Sequence, residues 1–287
     1  MNLQVSYILR NAVADLARAG VDTPELDAEL LLAHVLDKDR TWLMAHPDSS
    51  LSADQYAAFL QVLTRRVARE PLAYITGQRW FYDFLLHVSP EALIPRPETE
   101  ELVARALRWL RDHPDASVAD IGTGSGAIAL AVARHTPVST TIYATDNSRL
   151  ALGVARANAS RLGLAHRVTF FQGNLLNALS GPVDMILANL PYVPRPEQHR
   201  MMPEVGQYEP AEALFSGQAG LDHLRSLLSQ APDYLNPSGV ILLEIGCDQG
   251  LVVPEMARSH FPNATIHVFK DLSGHDRIVE IKKQHGD

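Results

Sequence analysis

Four consecutive residues, Asn189-Leu190-Pro191-Tyr192, follow the apolar run 183–188 and are suited to bind a planar amide or base. The side-chain carbonyl of Asn189 and the main-chain carbonyl of Leu190 can each accept a hydrogen bond from an NH2 group. Pro191 has no N–H and biases Leu190 toward an extended backbone, and Tyr192 offers a flat face for stacking. The pattern indicates methylation of a planar nitrogen, although a strand that ends in an ordinary turn could have the same composition.

A glycine-rich loop lies between a predicted strand at 117–121 and a predicted helix at 125–134, with the sequence Gly122-Thr123-Gly124-Ser125-Gly126. In this context glycines let the backbone approach a ligand closely. A second predicted strand ends at Asp146, whose carboxylate can accept hydrogen bonds from both hydroxyls of a ribose. The spacing G-x-G-x-G differs from the G-x-G-x-x-G of nicotinamide enzymes, and the Asn-Leu-Pro-Tyr segment has no role in hydride transfer. These residues predict an adenosyl cofactor; the alternative is that the glycines only form turns and Asp146 only caps a helix.

The composition limits the class of protein. A chain of 287 residues with 46% hydrophobic and 20% charged residues can form one large globular domain and a smaller one. The net charge of −8 argues against strong nonspecific binding of nucleic acid, which needs a basic surface. No signal peptide or 18-residue apolar segment is evident, and the single cysteine cannot form an internal disulfide. We therefore expect a cytoplasmic protein, and the scattered histidines predict no metal site.

Residues 1–75 are predicted to form a small helical domain. Apolar residues recur at helical spacing in 3–18, Thr23-Pro24 is typical of a helix start, and Ser52-Ala53-Asp54-Gln55 has the pattern of a capping box. Because the segment lacks residues suited to chemistry, it is interpreted as a substrate-recognition domain. Its third helix carries a basic cluster that forms either a solvated face or a docking patch for an acidic or RNA-bound partner: Arg65, Arg66 and Arg69.

The rest of the chain predicts an α/β fold. Residues 76–92 are rich in aromatic side chains and are interpreted as a β-hairpin linker. In 93–287 helices alternate with strands near 117–121, 141–145, 168–171, 183–188, 239–245, 264–269 and 276–282. This alternation predicts a mostly parallel sheet that binds its ligand beyond the carboxyl ends of the strands. Four polar residues lie at or just past such ends: Asp120, Asp146, Asn174 and Asn189. The segment 93–100 is either a linker with a helix cap or a loop over the cofactor or substrate.

Taken together, these motifs make the chain resemble the glutamine N5-methyltransferases that modify peptide release factors, the PrmC or HemK family, over nearly its whole length. Residues 120–126 resemble the S-adenosylmethionine loop of that family, Asp146 its ribose-binding acid, and 189–192 its Asn-Pro-Pro-Tyr signature. The resemblance implies a seven-stranded, Rossmann-like class I methyltransferase domain after a helical domain and a hairpin. Other segments that resemble the family are 70–77, 93–101, 209–210, 243–246 and 271–277.

Two positions depart from the family pattern. Leu190 replaces the first proline of the signature, and we expect altered packing but intact chemistry, since the position would act through its carbonyl. Asn174 lies where relatives carry an acid, and would hydrogen-bond to adenine with neutral groups, while Leu175 would pack on the adenine or belong to the core. With these residues, the resemblance implies that the cofactor also contacts Asn189, which binds the substrate together with Leu190, Pro191 and Tyr192.

The implied reaction is transfer of a methyl group from S-adenosylmethionine to the side-chain nitrogen of the glutamine in the Gly-Gly-Gln loop of class 1 release factors, which modulates translation termination. A monomer that does not contact nucleic acid or membrane directly is expected. Three alternatives remain open. They are N5-methylation of a ribosomal protein, N6-methylation of DNA adenine, and a non-enzymatic adaptor that keeps the cofactor-binding fold. The acidic chain has no evident basic segment for gripping and flipping a DNA base, which disfavours the second.

Overall fold

The computed structural model describes residues 3–284 and divides into two compact units. The helical unit runs to Gln78 and also includes Met202–Tyr208, and the sheet unit comprises Arg79–Met201 and the chain from Glu209 onward. The sequence-based boundary at residue 75 did not anticipate that a segment so far along the chain joins the first unit. The helices of the helical unit are α1 Val5–Arg18, α2 Pro24–Leu36, α3 Arg40–Ala45, α4 Ala53–Val67, α5 Leu72–Thr76 and, from the later segment, α9 Pro203–Tyr208.

Local signals in the sequence account for the start of the helices in this unit. The capping box at α4 is present as predicted, because Ser52 Oγ accepts from Gln55 N–H and Gln55 Oε1 accepts from Ser52 N–H. At α2, Thr23 occupies the N-cap position and Pro24 the first turn, which confirms the predicted helix start, although the Thr23 hydroxyl donates to Asp27 Oδ1 at 2.9 Å and makes no side-chain cap. The apolar stripe of α1 is buried in the core of the unit.

The basic cluster predicted on the third helix is used inside the helical unit. Arg66 is 6% exposed, and its guanidinium lies 2.6 Å from Asp27 Oδ2 and 2.9 Å from Glu204 Oε1. Arg69 also binds Glu204, at 2.6 Å. For these two arginines both sequence-based interpretations, a solvated face and a docking patch, are therefore wrong. Their ion pairs instead join α9 to α4 and its C-terminal end, and α4 to α2.

The sheet unit contains a hairpin and a seven-stranded mixed sheet. The hairpin pairs β1 Gln78–Phe81 with β2 Phe84–His87. The large sheet has the order β5-β4-β3-β6-β7-β9-β8, parallel except where β9 runs antiparallel to β7 and β8. This arrangement confirms the predicted α/β fold. Its strands are β3 Ser117–Ile121, β4 Thr141–Asp146, β5 Val168–Gln172, β6 Val183–Ala188, β7 Leu235–Glu244, β8 Thr265–Lys270 and β9 Asp276–Lys282.

The helices of the sheet unit are α6 Thr99–Leu110, α7 Ala127–His135, α8 Arg149–Arg161, α10 Asp222–Tyr234 and α11 Val252–His260. Short 3-10 helices cover Leu175–Ala178, Arg195–Arg200 and Ala211–Ala213. The buried residues of β3 and β6 are apolar except for Asp120, as expected for strands covered on both faces.

The strand order places the switch point of the sheet between β3 and β6. From β3 the chain builds β4 and β5 on one side and then crosses back to β6 on the other side. Ile121 pairs with Ala188, so Gly122 and Asn189 leave neighbouring strands at the same edge. In open α/β sheets ligands bind at such a point, because the loops diverge there and leave a crevice.

Candidate active site

A cleft lies beyond the carboxyl ends of β3, β4 and β6. It contains about 1040 Å³ of empty space, a value that includes the solvent at its open mouth. Most of the predicted site residues line it: Gly122, Thr123, Gly124 and Ser125 of the glycine loop, together with Asp146, Asn174, Leu175, Asn189, Leu190 and Pro191. The last residue of the loop, Gly126, does not line it. Leu93, Pro95 and Thr99 also line it, so the segment 93–100 borders the cleft, as its functional interpretation expected.

The glycine loop is anchored to the end of β4. Both Gly122 N–H and Thr123 N–H donate to the carbonyl of Thr145, each at 2.9 Å. Gly122 has φ +74° and Gly124 has φ +55°, which side chains rarely adopt. A Cβ at Gly124 would meet no atom within 4 Å, so a ligand in the cleft can approach the backbone there directly.

Asp120 lies behind the loop and is not among the residues that line the cleft. Its Oδ2 accepts from Thr123 Oγ1 at 2.6 Å and from Ala129 N–H at 3.1 Å, which joins the loop to α7. Complete burial raises the pKa of Asp120 to about 7, although these two hydrogen bonds favour the ionised form. Its Oδ1 is buried and has no hydrogen-bond partner among the described residues.

Asp146 presents a half-buried carboxylate in the cleft. Oδ2 accepts from Gly124 N–H at 2.9 Å and Oδ1 from Ser148 N–H at 2.8 Å. Burial raises its pKa, and the main-chain hydrogen bonds oppose that shift. Since each oxygen has further lone pairs, the oriented carboxylate can still accept hydrogen bonds from a ligand.

The two residues that follow β5 differ in exposure. Asn174 is exposed at the cleft, whereas Leu175 is 8% exposed and has φ +53°. Its carbonyl accepts from Thr145 Oγ1 at 3.3 Å, which holds this unusual backbone conformation. Leu175 both lines the cleft and belongs to the core, so the two interpretations of this side chain are compatible.

The Asn-Leu-Pro-Tyr segment presents different groups on different sides. Asn189 Nδ2 donates to Thr99 Oγ1 at 3.0 Å, and the Leu190 side chain is buried in the core beneath the cleft. The Tyr192 carbonyl accepts a hydrogen bond from Gln249 Nε2 at 3.2 Å. The Tyr192 ring is not among the groups that line the cleft. Burial, with a smaller contribution from the charge of Glu244, raises the pKa of the Tyr192 phenol to about 12.

Three residues that support this segment were not assigned a role from the sequence. Thr99 Oγ1 donates to Glu244 Oε2 at 2.7 Å, and burial raises the pKa of Glu244 to about 7. Gln249 bonds to the Tyr192 carbonyl and also accepts from Gly246 N–H. The sequence signal for Glu244 was an acid that directly follows the apolar run 240–243, because burying a carboxylate needs a compensating partner.

An ion pair between a buried carboxylate and a partly exposed guanidinium holds the loop before α6. Glu209 Oε1 lies 2.5 Å from Arg96 Nη2, and Oε2 accepts from Ile94 N–H at 3.2 Å. Burial raises the pKa of Glu209, and the positive charge of Arg96 opposes this shift. Pro95, between the two bonded residues, is thereby fixed at the wall of the cleft.

The charges of the cleft suit a particular ligand. Its lining contains Glu91, Asp146 and Glu212 but, within residues 3–284, no lysine or arginine. Such a lining offers hydrogen-bond acceptors to ribose hydroxyls and to cations, and no positive side chain for a phosphate. With the bare backbone at Gly124 and the unpartnered Asp120 Oδ1 behind the loop, the residues fit S-adenosylmethionine, which carries a sulfonium and no phosphate.

Two features are absent from the part of the chain that the structure describes. Among residues 3–284, no helix is both long and apolar enough to cross a membrane. The same residues include no group of three or more histidine, cysteine, aspartate or glutamate side chains that could hold a metal ion.

Comparison with known proteins identifies the family. The profiles described as PrmC N-terminal domain and Methyltransferase small domain match residues 8–77 and 102–205. The release factor glutamine methyltransferase of Xylella fastidiosa (strain Temecula1) is 42% identical over 93% of this chain and 96% of its own. That of Moorella thermoacetica is also 42% identical, over 94% of this chain and 95% of its own.

A solved ribosomal protein L11 methylase from Lactobacillus delbrueckii subsp. bulgaricus has a TM-score of 0.51 and 20% identity. It covers 69% of this chain and 84% of its own, and supports the class I methyltransferase fold alone. The resemblance drawn from the motifs is confirmed by the full-length relatives. On that identity and coverage, the chain belongs to the release factor glutamine methyltransferase family.

Proposed function

We propose that this protein transfers a methyl group from S-adenosylmethionine to the side-chain nitrogen of the glutamine in the Gly-Gly-Gln loop of class 1 peptide release factors. The observation that carries the proposal is the position of Asn189. It leaves β6 beside the glycine loop, at the edge of a cleft whose lining by described residues includes no lysine or arginine, and its amide nitrogen is already engaged. Its oxygen remains available to a substrate N–H. The names of the full-length relatives supply the substrate class.

The cofactor would be held by the residues at the ends of β3, β4 and β5. The backbone of 122–126 would lie against it, Asp146 would accept from its ribose hydroxyls, and Asn174 with Leu175 would border the adenine. Asp120 would act from behind, by fixing Thr123 and the start of α7. When bound, the cofactor supplies an electrophilic methyl group on a sulfonium.

The protein's own task is to aim a weak nucleophile. The lone pair of an amide nitrogen is delocalised into its carbonyl, so the nitrogen reacts only when it is held in a favourable geometry. Asn189 Oδ1 and the Leu190 carbonyl would accept its two N–H groups and stabilise the positive charge that develops there. Pro191 would restrain the Leu190 carbonyl, whereas Tyr192, which does not line the cleft, is given no direct contact with the amide. Held by these groups, the amide nitrogen would use its lone pair to accept the methyl group and would then release one N–H proton to solvent.

The rivals differ in their demands on the protein. A DNA adenine methyltransferase must hold phosphates near a flipped base, which the acidic lining of this cleft does not favour. Methylation of a ribosomal protein glutamine would use the same catalytic residues, so only the substrate distinguishes it. A release-factor substrate would put the reaction in the cytoplasm, which we include in the proposal. The protein is proposed to act as a monomer.

The test is transfer of labelled methyl from S-adenosylmethionine to purified release factor, with a Gln→Ala variant of its Gly-Gly-Gln loop as control. Label on the wild-type factor and none on the control is the expected result. Ribosomes and DNA without N6-methyladenine are assayed in parallel. Label on either of these, with none on the release factor, would contradict the proposal and favour the corresponding rival.

A further inference from the structure

Three side chains of the sheet unit form a hydrogen-bonded chain that ends at the proposed catalytic amide. Asn189 Nδ2 lies 3.0 Å from Thr99 Oγ1, which lies 2.7 Å from Glu244 Oε2. Thr99 is 3% exposed and Glu244 is 1% exposed, so water does not compete for these bonds. The three residues come from the end of β6, the first position of α6 and the last position of β7.

The chemistry of these groups gives the chain a direction. An ionised carboxylate can only accept hydrogen bonds, and a hydroxyl has a single proton to donate. When Glu244 is ionised, Thr99 therefore donates to Glu244, and its oxygen can only accept from Asn189. The amide of Asn189 must then turn its nitrogen toward Thr99, because the opposite orientation would place two acceptors against each other at a buried position.

We propose that Thr99 and Glu244 are positioning residues for methyl transfer: while Glu244 is ionised, they hold the Asn189 amide with its oxygen directed to the substrate. This inference rests on the proposed function and extends it to two buried residues, Thr99 at the wall of the cleft and Glu244, which does not line the cleft. A protonated Glu244 can donate to Thr99. The Thr99 proton is then released to donate to Asn189 Oδ1, and the acceptor that the substrate needs is consumed.

The surroundings of Glu244 place this change in an accessible pH range. Burial raises its pKa to about 7, and the charge of Glu98 adds to that shift. The Thr99 hydrogen bond and the charges of Arg277 and Arg96 oppose it, and the phenol of Tyr192 also faces Glu244. Because the pKa is raised, the orienting state exists above about pH 7 and is lost as the pH falls through that value.

The first experiment compares steady-state kinetics of Thr99→Val, Thr99→Ser and Thr140→Val with wild type at pH 8. Thr99→Val keeps the shape but removes the hydroxyl, and kcat should fall about 10- to 100-fold, with kcat/KM falling equally. Thr99→Ser retains the hydroxyl and should recover most of kcat. Thr140 is a matched control, since it is buried and donates to the Pro114 carbonyl. Wild-type kcat in Thr99→Val would overturn the inference.

The second experiment measures kcat against pH with both substrates saturating. The wild type should lose activity below about pH 7, and Glu244→Gln should show no such loss, because glutamine can still accept from Thr99 but does not titrate. Asp120→Asn should retain the loss in kcat, which separates Glu244 from the other acid with a pKa near 7. An unchanged acid limb in Glu244→Gln would contradict the role given to the ionised carboxylate.

A third readout does not depend on catalysis. In protein with 15N-labelled asparagine, the Asn189 side-chain amide is assigned by its absence in Asn189→Ala. Its protons should be protected from hydrogen exchange in wild type and Thr140→Val, and unprotected in Thr99→Val. If wild type transferred no methyl group to release factor, the proposed function would fail. The exchange signal would still show whether Thr99 holds the Asn189 amide. Equal protection in wild type and Thr99→Val would by itself refute the positioning role proposed for Thr99.

Discussion

A Cβ added to Gly122 would lie 2.8 Å from Cδ2 of Leu190. This approach joins the first glycine of the cofactor loop to the second residue of the Asn-Leu-Pro-Tyr segment, across the neighbouring ends of β3 and β6. Leu190, where the family signature has proline, thus fills the space that the absent side chain of Gly122 leaves open. The two motifs are coupled by packing as well as by function.

Replacing Gly122 with alanine should therefore damage both motifs. Beyond the strain of alanine at φ +74°, the new methyl group would displace Leu190 or the loop, so we expect about a tenfold rise in the Kd for S-adenosylmethionine, measured by calorimetry. Gly163→Ala is the matched control, because Gly163 has φ +70° and no atom within 4 Å of an added Cβ. It should lose only about 1–2 kcal/mol of unfolding free energy.

The packing contribution can be isolated by a double-mutant cycle. Leu190→Ala should cost about 2–5 kcal/mol of unfolding free energy by itself, since the side chain is buried. In the double variant with Gly122→Ala the removed side chain makes room for the added methyl group. The double variant should therefore lose at least about 0.5 kcal/mol less unfolding free energy than the sum of the two single losses, measured by urea unfolding. Strict additivity would show that the two residues do not press on each other.

Removing the side chain of Asn189 should affect the chemical step. Asn189→Ala takes away the acceptor that would orient the substrate nitrogen, and kcat should fall about 10²- to 10³-fold. The Kd for S-adenosylmethionine should change far less, since Asp146 and the loop remain. Asn236→Ala serves as control, because its amide binds Asp184 away from the cleft. An Asn189→Ala enzyme with wild-type kcat would remove the basis of the mechanism.

Asp146 should govern cofactor affinity. Asp146→Ala removes a charged acceptor in the cleft, and the Kd for S-adenosylmethionine should rise about 10- to 100-fold. Asp184→Ala is a suitable comparison, since Asp184 also accepts from a main-chain N–H, that of Ser117, at the opposite end of the strands. Calorimetry should show a cofactor affinity in that variant close to wild type. Equal losses in both variants would indicate general destabilisation.

Asp120 should make stability depend on pH. Its pKa is raised from 3.8 to about 7 in the folded protein, so the folded state binds the proton more tightly than the unfolded state. This contribution to the unfolding free energy is fully present below pH 3.8 and is lost as the pH rises through about 7. Asp120→Asn should therefore gain on the order of 2 kcal/mol relative to wild type between pH 5 and pH 8.

Urea unfolding at the two pH values measures this difference, and the comparison cancels any constant effect of the substitution. Asp184→Asn is the control, because the pKa of Asp184 is lowered and the group is ionised at both pH values. A relative stability of Asp120→Asn that did not change with pH would mean that Asp120 titrates alike in the folded and unfolded chain.

Local sequence was enough to predict the strands, the glycine loop and the segment 189–192. Their signals are apolar runs and the conformational needs of glycine and proline, which act within a few residues. The capping box at Ser52 was predicted for the same reason. The charged side chains were harder: Arg66 looked like a surface residue until Asp27 and Glu204 were brought to it from distant parts of the chain.

The support of the site depends on contacts between residues that are distant in the sequence. Thr99 lies 90 residues before Asn189 and 145 residues before Glu244, and nothing local in the sequence specifies that these side chains meet. Their contact depends on which strands are neighbours and on where α6 begins. A cofactor-binding methyltransferase could thus be predicted from short motifs, whereas the network that orients Asn189 follows from long-range packing, which no short motif encodes.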